Sequence, residues 1–283
     1  MSGGRPSPRR AGRVAGTKRG TRTALRPGWL VIAASSLALV FLVLPTVALV
    51  LRALAPSVFA DVVSPPALDA LRLSLVTTSV AMTLTVALGT PLAYLLGRYA
   101  FRGRRVVDAL VDLPLMLPPV IAGVGLLLVF GRRGLLGAPL ADAGVTIGFT
   151  ATAVVLAQLL VASPFFVRAL KVGFAAVPEE VEAAAMIDGA GRWAVFWRVS
   201  LPLALPAFTE GLVLAWSRAL AEFGATIVFA GSLAGRTRTL PLAIYGAFEV
   251  GLDQAVAMAA LLTGFALLLF LALRVVTGAA RVG

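Results

Sequence analysis

The stretch EEVEAAAMIDGAGRWAVFWRVSLPLALP, residues 179–206, decides how the rest of the chain is read. It gathers Glu179, Glu180, Glu182, Asp188, Arg192 and Arg198 between two long apolar runs. Pro178 suits a first helical position, where a missing N–H costs no hydrogen bond. Glu179, Glu180 and Glu182 then fall in the first turn, where the helix dipole favours negative charge. Ala183, Ala184 and Ala185 combine high helix propensity with little bulk. Gly189 or Gly191 ends the helix in a left-handed conformation. The pattern predicts a short, rigid helix with a small-residue face and a sharp stop. Trp193, Phe196 and Trp197 follow, which suit a membrane interface, and the chain re-enters the apolar phase at Leu201-Pro202. Such an element reads either as an amphipathic helix lying on headgroups or as a helix that docks into a groove on another protein.

The surrounding composition makes the chain a membrane protein. Of its 283 residues, 59% are hydrophobic and only 13% charged, with mean hydropathy +0.96; a soluble domain carries roughly 25% charged residues. With no cysteine there is no disulfide framework and no thiolate metal site, and with no histidine there is neither a serine–histidine centre nor a histidine zinc site. The net charge of +12 is unevenly spread: residues 1–27 hold eight basic residues and no acid. That segment reads as a disordered cytoplasmic tail beside anionic lipid, not as a nucleic-acid surface.

About 20 apolar residues are needed to cross ~30 Å of hydrocarbon, and six runs qualify, at about 28–50, 71–96, 109–130, 147–167, 201–230 and 254–273. The sequence thus predicts an all-α integral membrane protein: a six-helix domain over 28–277 and a short tail at 278–283. Pro114, Pro118 and Pro119 predict a broken or kinked third run. Ala53-Leu54-Ala55 resembles a signal-peptide cleavage site, but the first run exceeds the 7–15 residues of a signal core, and a retained anchor is expected. With residues 1–27 inside, the cytoplasmic segments hold eighteen Lys and Arg against five outside. That bias sets the orientation, places both termini in the cytoplasm and makes 178–198 part of the longest cytoplasmic loop.

The residues Glu182-Ala183-Ala184, Gly189 and Val199-Ser200-Leu201-Pro202 resemble the "EAA" loop of bacterial ABC importer permeases, with the glutamate one place earlier than the family spacing from Gly189 puts it. Downstream, Arg218-Ala219-Leu220-Ala221-Glu222-Phe223-Gly224-Ala225-Thr226 and Arg236 through Tyr245 are similar to the molybdate permease branch, close to the sulfate and tungstate permeases. Leu113-Pro114 through Pro118-Pro119 and Gly131-Arg132-Arg133-Gly134-Leu135-Leu136-Gly137 are similar too. The resemblance implies a type I importer permease with six transmembrane helices, used as a homodimer in a prokaryotic cell membrane. It implies that Glu179, Glu180, Glu182, Ala183, Ala184, Ala185, Asp188 and Gly189 form the loop that seats in an ATPase subunit. It also implies an extracytoplasmic oxyanion-binding protein as a further partner.

No G-x-x-x-x-G-K-[ST] phosphate loop is present, and the two lysines, Lys18 and Lys171, lack that context. This chain is therefore not expected to hydrolyse ATP by that route; the resemblance implies that ATP–Mg is bound by a partner subunit, and neither cofactor nor metal is expected in this chain. Arg218 and Glu222 lie four residues apart, on one face of a helix. They read as a neutralising pair between helices or, with Phe223, Gly224 and Thr226, as the lining of an anion path or gate. Arg236, Thr237, Arg238 and Thr239 are expected on the outer side, facing a partner, the anion or solvent. A membrane enzyme would need acids gathered on one cavity, whereas Asp112, Glu210 and Glu222 are far apart in sequence. A secondary carrier would show an internal repeat, and the two halves show none.

Overall fold

A computed structural model describes residues 28–279; the basic stretch 1–27 and residues 280–283 lie outside the described residues. Among those described, all regular structure is helical. In chain order the helices are α1 (Trp29–Ala53), α2 (Pro56–Val62), α3 (Pro65–Arg98), α4 (Arg104–Met116), α5 (Pro119–Phe130), α6 (Gly137–Asp142) and α7 (Ala151–Ala175). There follow α8 (Glu179–Ile187), α9 (Arg192–Val195), a π-helical turn (Phe196–Ser200), α10 (Leu201–Leu203), α11 (Leu205–Leu220), α12 (Gly224–Phe229), α13 (Leu240–Ala247) and α14 (Leu252–Ala279). The chain divides into two units, Met1–Thr46 and Val47–Gly283. The described part of the first is the apolar bulk of α1, hydrophobic all round, as a helix facing lipid must be.

The second unit is built on α3, α7 and α11. The buried face of α3 reads Ala67, Ala70, Ser74, Thr77, Thr78, Ala81, Met82, Thr85, Gly89, Ala93 and Leu96, mostly small residues at helical spacing. Small residues let helix backbones approach where lipid gives no hydrophobic drive. Gly97 of α3 sits so close to α7 that a Cβ there would lie 2.9 Å from both Lys171 O and Phe174 Cβ. At Gly173 of α7, a Cβ would lie 2.4 Å from Ala207 Cβ of α11. Gln158 of α7 is buried in the same seam and donates to Thr78 Oγ1 at 3.1 Å.

Among the described residues, four helices are long and apolar enough to cross a membrane, and there are up to six such candidate spans if each of two bent pairs counts as one. The third predicted run breaks at Leu117-Pro118, and α4 and α5 meet at 114°, far beyond a proline kink. Pro118 and Pro119 supply no N–H to continue the ladder, and Pro119 restarts it as a first helical residue. The fifth run, read as one stretch over 201–230, is also interrupted. A 70° bend at Ala204 separates Arg192–Leu203 from α11, and Ala221–Phe223 separates α11 from α12. Its excess length is thus used in corners rather than in depth.

The half-helices α5 and α12 pack together on α7 around Ala122, Leu126, Ala157, Ala225 and Phe229. Gly123 makes this possible: a Cβ there would stand 2.8 Å from Ala225 O. Replacing Gly173 or Gly123 by alanine is therefore expected to destabilise the protein by about 1–3 kcal/mol through overpacking. Gly125→Ala, on the open side of α5 with nothing within 4 Å, should be neutral or slightly stabilising. Thermal unfolding of the three variants in detergent checks this; equal melting temperatures would show that the close approaches are not needed.

Candidate functional site: the polar loop and the broken helix

Helix α8 begins at Glu179, with Pro178 just outside it in an extended conformation (φ −62°, ψ 133°). Proline thus precedes the helix by one position relative to the sequence expectation. Glu179, Glu180 and Glu182 occupy the first turn. The stop is a Schellman motif: Gly189 takes φ +89°, its N–H bonds Met186 O at 3.1 Å, and Ala190 N–H bonds Ala185 O at 3.0 Å. Both late carbonyls of the helix are thereby satisfied.

The side chains of this loop divide into two sets. Glu182 turns inward and is only 8% exposed. Its carboxylate is ion-paired with Arg98 at the end of α3 and accepts a 2.6 Å hydrogen bond from Ser200 Oγ. Arg98 also donates to Val177 O at 2.9 Å, just after α7. The π-helical turn helps to set this geometry, since Ser200 ends it on the buried side. Aromatic rings fill the space beside it: Tyr94 meets Phe174 and Phe196 edge-on at 5.0 and 4.9 Å, and Trp193 stacks on Phe196 at 5.9 Å. The second set faces out. Glu179, Glu180, Ala183, Ala184, Asp188 and Gly189 are exposed, Ala185 is half-buried, and Ile187 is 85% and Trp193 73% exposed. Arg98 and Ser200 were not singled out in the sequence as partners of the glutamate; the only signal was a basic residue at the end of the second apolar run.

At the far end of α11, Glu222 lies beyond the last helical turn and is 1% exposed. Its Oε1 accepts from Ala225 N–H at 2.7 Å, capping α12. Its Oε2 lies 3.4 Å from Arg218 Nη2, a charge contact without hydrogen-bond alignment. Arg218 itself is half-buried. Phe223 packs on Tyr245 with ring centroids 5.3 Å apart. At Gly224 a Cβ would stand 2.8 Å from Pro119 Cβ, so α12 and α5 start against each other. Thr226 is buried in the same helix. The structure thus gathers Arg218, Glu222, Phe223, Gly224 and Thr226 at one helix break, well apart in sequence from the α8 loop.

Of Arg236, Thr237, Arg238 and Thr239, the two arginines are exposed. Thr237 and Thr239 are buried, and Thr237 Oγ1 closes the turn by accepting from Leu233 N–H at 3.0 Å. Among the described residues, no three carboxylates converge on a metal-sized site.

Arg98 and Glu182 are both largely shielded, so removing one leaves the other charged and unpaired. Arg98→Ala is expected to cost about 3–5 kcal/mol. The paired replacement Arg98→Met with Glu182→Leu should cost less than either single change. Chemical or thermal denaturation in detergent measures this, and additive single effects would rule out the pairing.

Residues 89–280 match the family described as the binding-protein-dependent transport system inner membrane component. The molybdenum transport system permease protein ModB of Mycobacterium tuberculosis is 43% identical over 245 residues, 87% of this chain and 92% of that protein. ModB of Escherichia coli is 42% identical over 185 residues, 65% and 81% of the two chains. A probable sulfate transport system permease protein, cysT of Chlorokybus atmophyticus, is 34% identical over 212 residues, 74% of each. Among solved structures, a bacterial ABC transporter that imports the acidic polysaccharide alginate superposes with TM-score 0.68 at 17% identity, covering 89% of this chain and 95% of that one. The inward-facing MetNI methionine ABC transporter superposes with TM-score 0.59 at 21% identity, covering 76% and 98%. The chain belongs to the family of inner-membrane components of binding-protein-dependent transport systems.

Proposed function

We propose that this chain is the pore-forming subunit of an ATP-driven importer of molybdate or a similar tetrahedral oxyanion, and that its 178–198 loop receives the movement of a separate ATPase. As a transport-system membrane component it is a permease and not an enzyme. Relatives named as molybdenum permeases, at 43% identity over most of the chain, support the cargo. The sulfate relative widens the class to tetrahedral oxyanions.

The observation that carries the coupling role is the two-sided character of α8. Its tip exposes Val181, Met186 and Ile187 among Glu179, Glu180 and Asp188. Those acids are repelled by anionic headgroups, which argues against a helix lying on lipid. An apolar tip rimmed by charge fits a groove on a protein instead. Its base, fixed by Arg98 and Glu182, does not yield when the tip is pushed. In this reading ATP–Mg is bound by the ATPase, both termini are cytoplasmic in a prokaryotic inner membrane, and two copies of the chain enclose the pore on a two-fold axis. An extracytoplasmic binding protein delivers the oxyanion. Arg218 and the break at 221–223 lie along the path or gate: Arg218 gives a passing anion an attractive charge, and Glu222 beside it weakens that attraction enough to permit release.

The complex reconstituted in liposomes with its ATPase and binding protein is expected to accumulate molybdate only when ATP is supplied. Uptake driven by an ion gradient without the ATPase would overturn the proposal. Uptake of sulfate in place of molybdate would correct the cargo alone. Ile187→Asp at the exposed tip should weaken ATPase association about tenfold or more, equivalent to ~1.4 kcal/mol, with the permease still folded. Co-purification and thermal unfolding together read this. Arg218→Gln should lower uptake more than ATP hydrolysis, and equal losses in both would remove Arg218 from the path.

A further inference from the structure

Helix α4 is attached unlike any of the long helices. None of its residues is buried, and only Val107 and Val111 pack against the core. Val106, Leu110, Leu113 and Met116 are exposed, while Asp108 and Asp112, one turn apart, face α7. There they meet Lys171 and Arg168 in antiparallel register. The two pairs are unequal. Lys171 Nζ donates to both carboxylate oxygens of Asp108, at 2.5 and 2.6 Å, with Lys171 only 25% exposed in its side chain. Arg168 stands 3.6 Å from Asp112 and is 60% exposed, the kind of pair that contributes little. Lys171 is the only lysine among the described residues.

The position of the strong pair gives it consequence. Lys171 lies one turn before the end of α7, and α8 starts four residues after that end. At its other end α4 runs through Leu117-Pro118 into α5, whose first turn bears on Gly224 and whose Gly123 bears on Ala225. A displacement of the corner between α7 and α8 thus has a packed route to the Arg218–Glu222 break, and the Asp108–Lys171 contact is the stronger of the two ion pairs that tie α4 into it. We propose that Asp108 and Lys171 are positioning residues for transport, forming the joint by which movement of the α8 corner is passed through α4 and α5 to α12. The proposal rests on the coupling role given to α8 above, and it adds which side chains carry that movement inward.

The test uses the full complex with its ATPase and binding protein in liposomes, with molybdate as the probe, and compares ions taken up with ATP hydrolysed. Asp108→Asn and Lys171→Gln are expected to keep ATP hydrolysis within about twofold of the unaltered protein while uptake per ATP falls about fivefold or more. The swap of Asp108→Lys with Lys171→Asp should recover most of that ratio. Asp112→Asn, at the long exposed pair, should change it by less than about twofold. Thermal unfolding of each variant separates loss of the joint from loss of the fold. An unchanged ratio in the single variants overturns the inference. So does a parallel fall of uptake, hydrolysis and melting temperature that the swap does not repair. If the unaltered complex shows no ATP-dependent uptake, the functional reading itself fails, and that result is distinct from either of these.

Discussion

Arg98 ends the longest helix of the second unit, and its guanidinium donates to Val177 O beyond α7 and to the Glu182 carboxylate in α8. The end of α3 is therefore fixed to the stretch between Val177 and Glu182, distant from it in sequence, by a single planar cation. An arginine suits the place because its fork of donors can serve a carbonyl and a carboxylate at once, which a lysine point charge does less well. Ser200 completes the carboxylate's partners from the opposite side. A buried ion pair is a weak source of net stability, but breaking one is costly. The pair thus defines an arrangement more than it strengthens one, and the orientation of the α8 tip follows from it.

Once that base is fixed, the broken helices acquire a role. A straight crossing in contact with lipid has little freedom to change shape, since every backbone group must stay paired. The two interrupted runs place their unpaired ends against other protein segments instead. Glu222 supplies the acceptor that α12 needs at its start, and α5 starts at two prolines that need fewer acceptors than other residues would. The glycine contacts between α5 and α12 pack the two short helices closely on each other, beside the three-helix core of α3, α7 and α11.

Much of this was legible in the sequence, for reasons that are local. The short α8 helix, its acidic first turn and its glycine stop follow from dipole, propensity and backbone rules that act within ten residues. The interruption near Pro118 follows from a missing N–H. Hydropathy marked the candidate spans, although it joined 201–230 into one run, because the corner at Ala204 leaves no polar mark and Arg218 and Glu222 are too few to interrupt an apolar run of that length. The inward turn of Glu182 was not legible. Three acids in one turn look alike in sequence, and only the approach of Arg98, set by how α3 packs on α7, separates the buried one from its exposed neighbours. The pairing of Asp108 with Lys171 was not legible either: it exists only after α4 has folded back along α7. Glu222 was read as a partner of Arg218, whereas its shortest contact is to the α12 backbone.

The distribution of charge ties these observations together. Among the described residues, five acids are matched to a cation: Asp253 to Arg52, Glu182 to Arg98, Asp108 to Lys171, Asp112 to Arg168 and Glu222 to Arg218. Glu179, Glu180 and Asp188, in the α8 loop, make no ion pair among the described residues and are exposed. Three unpaired acids around one apolar tip bring together there the field and the shape by which a partner can be selected. The fixed base makes that selection mechanical as well as chemical, because whatever grips the tip also holds α3 through Arg98 and α7 through Val177.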